Sequence, residues 1–173
     1  NGFGLNISKR LEEFFYKNSW LITGQSKEIV MNIRQRFPYL NVYRYSNAVD
    51  THKYNPASTG TFFSQFKLKK KIKIVYAGLH GMAQGLDQII DSLKYFETFH
   101  FSKFHIFFIG DGPEKEFLIN KSNKIINCPI SFIPPQPKAN MPQIWASSDI
   151  AIIPLKKYIP GAVPSKLYEA MSS

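Results

Sequence analysis

The sequence contains very little cysteine, since Cys128 is the single thiol among its 173 residues. One thiol cannot build an internal disulfide framework, and it cannot supply a zinc site made of several cysteines. A reducing compartment suits such a chain, so we predict a cytoplasmic location. The sequence also has no visible cluster of metal ligands. We therefore predict no bound metal and no cofactor.

Long apolar runs are missing as well. No stretch approaches the roughly 20 residues that a membrane-spanning helix needs, and the N-terminus lacks the charged and apolar regions of a signal peptide. The chain starts at Asn1 without a methionine and stops at Ser173 inside an apparent helix. We therefore expect a fragment, whose missing ends could hide segments of either kind.

Positive charge is abundant, with a formal net charge of +10 at pH 7. It is densest in the basic run KLKKKIK, residues 67–73. Such charge attracts nucleic acid, an anionic membrane surface or a phosphorylated ligand. A solvated linker whose lysines keep the chain soluble is the favoured explanation of the same residues, ahead of a membrane surface and of nucleic acid. The charge alone leaves these alternatives open.

Helical and strand-like segments alternate along the whole chain. The predicted strands are residues 19–25, 41–45, 72–77, 105–109, 130–134 and 149–155. The predicted helices are residues 8–16, 27–37 (capped by Ser26), 86–96, a short helix from Pro113, 141–148 and a last one from about Pro164. The apolar strands HIFFIG and DIAIIP are typical of a parallel sheet covered on both faces. We therefore predict an α/β, Rossmann-like fold.

Periodicity lapses where Pro, Gly, Ser and Thr precede the basic run. We place a domain boundary there, with residues 1–55 ending one domain, residues 56–71 as an interdomain linker and residues 72–173 forming the second domain. Ligands of parallel α/β sheets bind at the carboxyl ends of strands. The loops after Ala77, Ile109, Pro134 and Leu155 are therefore where we expect the site.

Two glycine-rich loops follow strands. GLHGMAQG places Gly78, Gly81 and Gly85 where a phosphate could approach backbone N–H groups, although ordinary turn chemistry explains them equally well. We expect His80 to form a local hydrogen bond and not to act as a base. GDGPEKE, from Gly110, is a weak dinucleotide motif because Pro113 lacks a donor and no acidic partner follows, so a structural turn is favoured.

The loop IPGAVPSKLYEAM, residues 159–171, carries the most information. It leads into a helix whose free N–H groups suit an anion. Lys166 in the first turn opposes the helix dipole, so an anionic partner would explain it. Glu169 lies one turn further and can accept bonds from vicinal hydroxyls. From the residues alone, an exposed Lys and Glu pair remains an equal alternative.

Six segments, in order along almost the whole chain, resemble glycosyltransferase family four, which has the two-Rossmann GT-B architecture. They are LEEFFYKNSWLITGQSKEI, YRYSNAVDTHKYNP, AGLHGMAQGLDQII, FIGDGPEKEFLI, PQIWASSDIAIIPL and PSKLYEAM. The last is similar to a helix of the donor domain in the bacterial surface-polysaccharide branch. The resemblance implies that residues 72–173 are a nearly complete donor-binding domain, truncated at its C-terminus. Residues 1–55 would be the remnant of the N-terminal acceptor domain.

The resemblance also implies a site for a nucleotide sugar. Glu169 would bind the donor ribose, Lys166 and the backbone before it would contact the diphosphate, and the loop near Gln136 would face the base. The predicted site residues are Gly78, Gln84, Gly85, Pro135, Gln136, Gly161, Ala162, Val163, Pro164, Ser165, Lys166 and Glu169. The catalytic residues are unknown.

The chain departs from the family pattern at three positions. The first of two family glutamates, which faces the transferred sugar, falls on Gly161. Two phosphate-neutralising cations fall on Leu79 and Gln84. Because charge-assisted hydrogen bonds are the stronger ones, Lys166 gains importance for the diphosphate.

The function implied by the resemblance is transfer of a hexosyl or N-acetylaminosugar group from a nucleoside diphosphate to a polysaccharide or lipid-linked oligosaccharide, with retention of configuration. The fragment itself should be inactive. We predict no nucleic-acid partner, and an anionic membrane surface as a further partner at the inner face of the cytoplasmic membrane. The alternative is a nicotinamide- or other nucleotide-binding Rossmann module. This chain lacks the GxGxxG motif and the acidic partner that such modules use.

Overall fold

The computed structural model describes residues 2–66, 68, 70–156 and 160–173. Three predicted positions, Lys67 and Lys69 of the basic run and Ile159 at the start of the last loop, lie outside the described residues. The chain divides into two compact units. The smaller unit comprises Asn1–Ala48 with Ile159–Val163, and the larger comprises Val49–Tyr158 with Pro164–Ser173.

The smaller unit contains two helices and two parallel strands. They are α1 (Gly2–Lys17), β1 (Ile22–Gly24), α2 (Lys27–Arg36) and β2 (Val42–Arg44). Ser26 caps α2 as predicted, because its hydroxyl accepts a hydrogen bond from the N–H of Ile29 at 3.2 Å. The predicted order of elements is confirmed, although both strands are shorter than the sequence indicated.

The larger unit alternates strands and helices. Its elements are β3 (Ile72–Ala77), α3 (Leu86–Ser92), β4 (Phe104–Ile109), α4 (Lys115–Ser122), β5 (Ile130–Ile133), α5 (Met141–Ala146), β6 (Ile150–Ala151) and α6 (Ser165–Ser172). Short 3₁₀ helices occupy Phe62–Phe66, Met82–Gln84, Leu93–Tyr95, Thr98–Ser102 and Lys138–Asn140. Within the described residues, no helix is both long enough and apolar enough to cross a membrane.

The four strands of the larger unit form one parallel sheet in the order β5-β4-β3-β6. The last residues of β3, β4 and β5 are paired in register, with Ala77 opposite Ile109 and Ile109 opposite Ile133. The loops that follow these strands therefore leave the sheet side by side. The α/β parallel sheet predicted from the sequence is confirmed.

Apolar side chains cover both faces of this sheet, because successive strand residues point to opposite sides. One cluster contains Val75, Ala77, Phe107, Ile109 and Ile133, packed with Tyr54, Phe63, Ile144 and Trp145. The other contains Tyr76, Ile106 and Phe108, packed with Leu86, Ile90, Leu93, Phe101 and Leu118. This packing on both faces fixes the position of the sheet from which the loops emerge.

Strand β6 is shorter and less covered than predicted. Its ladder spans Ile150–Ala151 instead of residues 149–155, and Ile150 is 48% exposed. Strand β6 lies at the edge of the sheet, where it pairs only with β3, and Pro154 has no N–H to extend the pairing. The expectation of coverage on both faces is therefore wrong at this strand.

Part of the segment predicted as a linker packs on the larger unit. The 3₁₀ helix Phe62–Phe66 places Phe63 in the core, with its ring centroid 4.8 Å from that of Phe107. The compact units divide at Ala48 and Val49, earlier than the predicted boundary. The assignment of residues 1–55, 56–71 and 72–173 to domains stays a prediction.

Replacing Phe107 by alanine tests how strongly the core supports the strand ends. Phe107 has no exposed surface, so we expect Phe107→Ala to lower the free energy of unfolding by about 3 to 5 kcal/mol. Tyr95→Ala is the control, because Tyr95 is 81% exposed. Urea denaturation should show a shift for the first variant alone, and equal midpoints would contradict this description of the core.

Candidate functional site

Backbone hydrogen bonds join the loops after β3 and β4. The N–H of Gly78 donates to the carbonyl of Ile109 at 2.8 Å, and the N–H of His80 donates to the carbonyl of Asp111 at 2.8 Å. The carbonyl of His80 accepts in turn from Glu114 at 2.9 Å. The two loops, residues 78–80 and 110–114, are therefore joined into one continuous surface, which we call the floor. Because the Gly78 N–H is occupied, it is not among the free N–H groups of the β3 loop.

Two glycines allow this close approach. Gly110 has φ +142° and Gly112 has φ +156°, a backbone region that favours glycine. A Cβ on Gly110 would overlap the carbonyl of Gly78, and a Cβ on Gly112 would overlap the carbonyl of His80. The glycines of GDGPEKE therefore serve backbone packing, which supports the interpretation of this motif as a structural turn.

A cleft of about 460 Å³ opens at the carboxyl ends of the strands, within the range of roughly 300 to 1,000 Å³ usual for small-molecule sites. Six of the predicted site residues line it: Gly78, Pro135, Gln136, Ser165, Lys166 and Glu169. The lining residues absent from the prediction are Ala77, Leu79, Ile109, Gly110, Asp111 and Met141. All but Met141 end β3 or β4 or follow them directly, so the strand-end rule could have found them.

Other predicted site residues do not line this cleft. Gln84 and Gly85 form the turn into α3, where Gly85 adopts the left-handed conformation with φ +63°. Pro164 precedes the first residue of α6. Gly161, Ala162 and Val163 belong to the smaller unit. Contact of these six residues with a nucleotide stays a prediction.

Lys166 lies in the first turn of α6 and reaches over the β3 loop. The end of its side chain occupies the space that a Cβ on Gly78 would need. Its Nζ lies 5.9 Å from the ring centroid of Tyr76, a cation–π distance. Among the described residues, no carboxylate lies within 4.0 Å of this ammonium group. The cleft therefore contains a positive charge that is not directly neutralised by any carboxylate in the described part of the chain.

Tyr76 stabilises the loop below this lysine. Its hydroxyl donates a hydrogen bond to the carbonyl of Leu79 at 2.6 Å. Burial raises the pKa of Tyr76 to about 12, so the hydroxyl keeps its proton at neutral pH. The position of the loop is thus fixed by a neutral donor.

Glu169 follows Lys166 by one helical turn and also lines the cleft. Its Oε2 accepts a hydrogen bond from Nε1 of Trp145 at 3.2 Å. Trp145 is 4% exposed and lies on α5. Residues three apart on a helix are neighbours on its surface. An ammonium group and a carboxylate therefore face the same cleft.

His80 is fully buried behind this floor. Its ring lies 6.0 to 6.3 Å, between centroids, from the rings of Tyr76, Phe108 and Phe132. The expectation of a local side-chain hydrogen bond is wrong, since neither ring nitrogen has a partner among the described residues. Burial lowers the pKa of His80, and the charge of Lys115 adds to this effect.

The smaller unit contains a larger cavity of about 920 Å³ beside α1 and α2. One of its two acidic lining residues, Glu12, is already paired, because Arg36 donates a hydrogen bond to it at 3.2 Å. Its lining residues lie on α1 and α2 or at Pro160, and none of them belongs to a strand, whereas ligands of parallel sheets bind at strand ends. In the described part of the chain, no three His, Cys, Asp or Glu side chains are grouped to hold a metal ion.

The sequence profile described as Glycosyl transferases group 1 matches residues 59–173, which include every residue that lines the 460 Å³ cleft. The chain belongs to the group 1 glycosyltransferases. A search of curated protein sequences found no significant match for this glycosyltransferase chain. Family four and the bacterial polysaccharide branch stay predictions.

Solved structures of glycosyltransferases are similar to this chain. Anabaena HepE in complex with UDP and glucose has a TM-score of 0.72 at 16% identity, over 91% of this chain and 43% of that one. WaaG, a glycosyltransferase involved in lipopolysaccharide biosynthesis, has a TM-score of 0.69 at 11% identity, over 87% and 41%. The UDP-forming α,α-trehalose-phosphate synthase from Burkholderia xenovorans has a TM-score of 0.70 at 12% identity, over 88% and 43%.

These likenesses confirm the predicted GT-B type of fold. The chain spans less than half the length of each of the three structures. At identities between 11% and 16%, the comparison establishes only the fold. Substrates and partners must be argued from the chemistry of the site.

The approach of the two loops is tested by adding one methyl group. Gly110→Ala puts a Cβ onto the carbonyl of Gly78 at a positive φ, so we expect a loss of about 1 to 3 kcal/mol in the free energy of unfolding. Gly81→Ala is the matched control, because Gly81 has φ −121° and its Cβ would meet the mobile end of Gln84. Similar unfolding midpoints for the two variants would contradict the interlocked floor.

The burial of His80 predicts a dependence of stability on pH. Its pKa in the folded chain lies below the ordinary value of 6.5, so the unfolded chain binds the proton first as the pH falls. Stability is therefore retained above pH 6.5 and lost below it. We expect His80→Phe, which removes this proton site, to lose less stability than the wild type between pH 7 and pH 5.

His105 provides a common background in this comparison. Burial lowers the pKa of His105 to about 4, and this residue is present in both chains. Denaturation at several pH values therefore isolates His80 as the difference between them. Parallel pH profiles would show that His80 is not the buried titrating group described above.

Proposed function

We propose that this chain supplies the donor-binding part of a glycosyltransferase that moves a sugar from a nucleoside diphosphate to a polysaccharide or lipid-linked oligosaccharide. One observation carries the proposal: Lys166 and Glu169, one turn apart on α6, line a single cleft at the carboxyl ends of β3 and β4. A cation and a hydroxyl-binding carboxylate are the groups that a nucleoside diphosphate requires.

The diphosphate is proposed to bind at the N-terminus of α6. The first-turn N–H groups of a helix favour an anion, and the Lys166 ammonium adds a full positive charge. A lysine at this end of a helix is unfavourable by itself because it opposes the dipole. A bound diphosphate removes that conflict. The same groups would stabilise negative charge that develops on the leaving diphosphate.

The remaining parts of the nucleotide are assigned by chemistry and by the family resemblance. Glu169 would accept hydrogen bonds from the vicinal hydroxyls of the ribose. Pro135 and Gln136, which line the cleft beyond β5, would face the base. Gly161 provides no carboxylate for the transferred sugar. Other groups must therefore bind that sugar.

The proposed substrates agree with the ligands and functions of similar structures. HepE was crystallised with UDP and glucose, and WaaG acts in lipopolysaccharide biosynthesis. These facts support a UDP-sugar donor, of the hexosyl or N-acetylaminosugar type, and a glycan acceptor. Retention of configuration, a cytoplasmic location and attraction of the basic run to an anionic membrane are further parts of the proposal. They rest on the family resemblance, on the single cysteine and on the net charge of +10, respectively.

A nicotinamide-binding function is not favoured. A dinucleotide would need open space above the glycines of the GDGPEKE motif. Gly110 and Gly112 are instead packed against the carbonyls of Gly78 and His80. Packing of the two loops therefore accounts for both glycines of this motif.

The proposal is tested by titrating UDP, GDP, NAD and a single-stranded oligonucleotide into the 173-residue chain, with calorimetric detection. We expect a nucleoside diphosphate to bind and NAD and the oligonucleotide to bind weakly or not at all. Preferential binding of NAD would favour the Rossmann alternative, and preferential binding of the oligonucleotide would assign the positive charge to nucleic acid.

Lys166→Ala is expected to weaken UDP binding by about 1.5 to 3 kcal/mol, the range for a hydrogen bond to a charged group. Uridine has no phosphate, so its affinity should change little. Leu79→Lys in the same variant should restore part of the loss, because Leu79 lines the same cleft. Calorimetry with both ligands measures the difference.

The control for this prediction is Lys94→Ala. Lys94 is exposed and does not line the cleft, so its removal changes the net charge by the same amount without removing the proposed contact. Equal weakening of UDP by the two variants would indicate a general effect of charge. Equal weakening of UDP and uridine by Lys166→Ala would place the phosphates elsewhere.

A further inference from the structure

The indole of Trp145 contacts Glu169, the residue proposed to bind the ribose. Trp145 is not among the residues that line the cleft, whereas Glu169 is. Its Nε1 donates to Oε2 of Glu169 at 3.2 Å. An indole has one donor and no acceptor, and a buried indole N–H normally requires a partner. The hydrogen bond therefore satisfies Trp145 and at the same time holds one carboxylate oxygen.

The two partners differ in their freedom to move. Trp145 is 4% exposed and packs in the core cluster with Tyr54, Phe63 and Ile144. Its ring is fixed by this packing. A glutamate side chain has several rotatable bonds and loses entropy when it is ordered. The fixed ring can therefore orient the flexible carboxylate, and the reverse is not expected.

We infer that Trp145 is a positioning residue for Glu169. Its N–H holds Oε2, and this leaves Oε1 as the oxygen available to vicinal hydroxyls in the cleft. A carboxylate oriented before the ligand arrives loses less entropy on binding. This role rests on the proposed function, because it assumes that Glu169 receives the ribose. The hydrogen bond itself is independent of that assumption.

Tryptophan indole resonances report on the hydrogen bond directly. The chain has two tryptophans, and Trp20 is 86% exposed, so it serves as an internal control. In a ¹H–¹⁵N spectrum, Trp145→Phe assigns the indole signal of Trp145 by removing it. Glu169→Gln, which takes the charge from the acceptor, should shift that signal and leave the Trp20 signal in place. An unmoved Trp145 signal would overturn the inference.

Binding measurements then test the positioning role. Trp145→Phe keeps an aromatic ring in the core and removes the N–H. We expect it to weaken UDP binding about five- to tenfold, because one hydrogen bond typically contributes a free energy of this size. Binding of 2′,3′-dideoxy-UDP, which lacks both hydroxyls, should change by less than about twofold. Glu169→Gln should show the same selectivity.

The double variant separates one shared role from two independent ones. If Trp145 acts through Glu169, Trp145→Phe combined with Glu169→Gln should weaken UDP binding no more than the larger single effect. Trp20→Phe is the matched control and should bind UDP as the wild type does. Equal losses for UDP and dideoxy-UDP, or fully additive losses, would reduce Trp145 to a packing residue and overturn the inference.

Failure of the proposed function gives a different pattern. A wild-type chain that binds no UDP would overturn the proposed function and the role of Trp145 in ribose binding together. A wild-type chain that binds UDP, with a Trp145→Phe variant that binds it equally well, would overturn only the positioning role. The two failures are therefore distinguished by the wild-type titration.

Discussion

The rest of the site depends on the backbone interlock between the loops after β3 and β4. Gly110 and Gly112 lack the Cβ atoms that would push these loops apart, and three backbone hydrogen bonds of 2.8 to 2.9 Å join them. This contact fixes the floor of the cleft and the start of α4. It also places Gly78 beneath the side chain of Lys166. A change that separates the loops would therefore alter the charge and the shape of the cleft together.

The electrostatic character of the cleft follows from this floor. Lys166 lies above a glycine and near the ring of Tyr76, with no described carboxylate in direct contact. Glu169, the nearest acid on the same helical face, is instead bonded to an indole N–H. Within residues 2–66, 68, 70–156 and 160–173, no direct ion pair therefore cancels this positive charge. This arrangement favours a ligand that combines an anionic group with hydroxyl groups.

The sequence predicted the elements well where the signal is local. Strand β3 is found at the predicted residues, and Ser26 caps α2, because strand periodicity and capping depend on a few neighbouring residues. Strand β6 is shorter than predicted because the extent of pairing depends on a partner strand and on Pro154. Periodicity carries no information about the partners of a strand at the edge of a sheet.

The sequence was less informative about the candidate site. It predicted Lys166 and Glu169, which follow a loop that opens a helix, and both line the cleft. It did not reveal that the Gly78 N–H is occupied, that His80 is buried without a partner, or that Trp145 contacts Glu169. These features join residues distant in sequence, so no local pattern contains them.

The most direct test of the central claim is a crystal structure of the chain with UDP. We predict that the diphosphate lies beside Lys166 and that the ribose hydroxyls lie within hydrogen-bond distance of Glu169. A nucleotide bound away from the 460 Å³ cleft, or in it with the diphosphate remote from Lys166, would contradict the account.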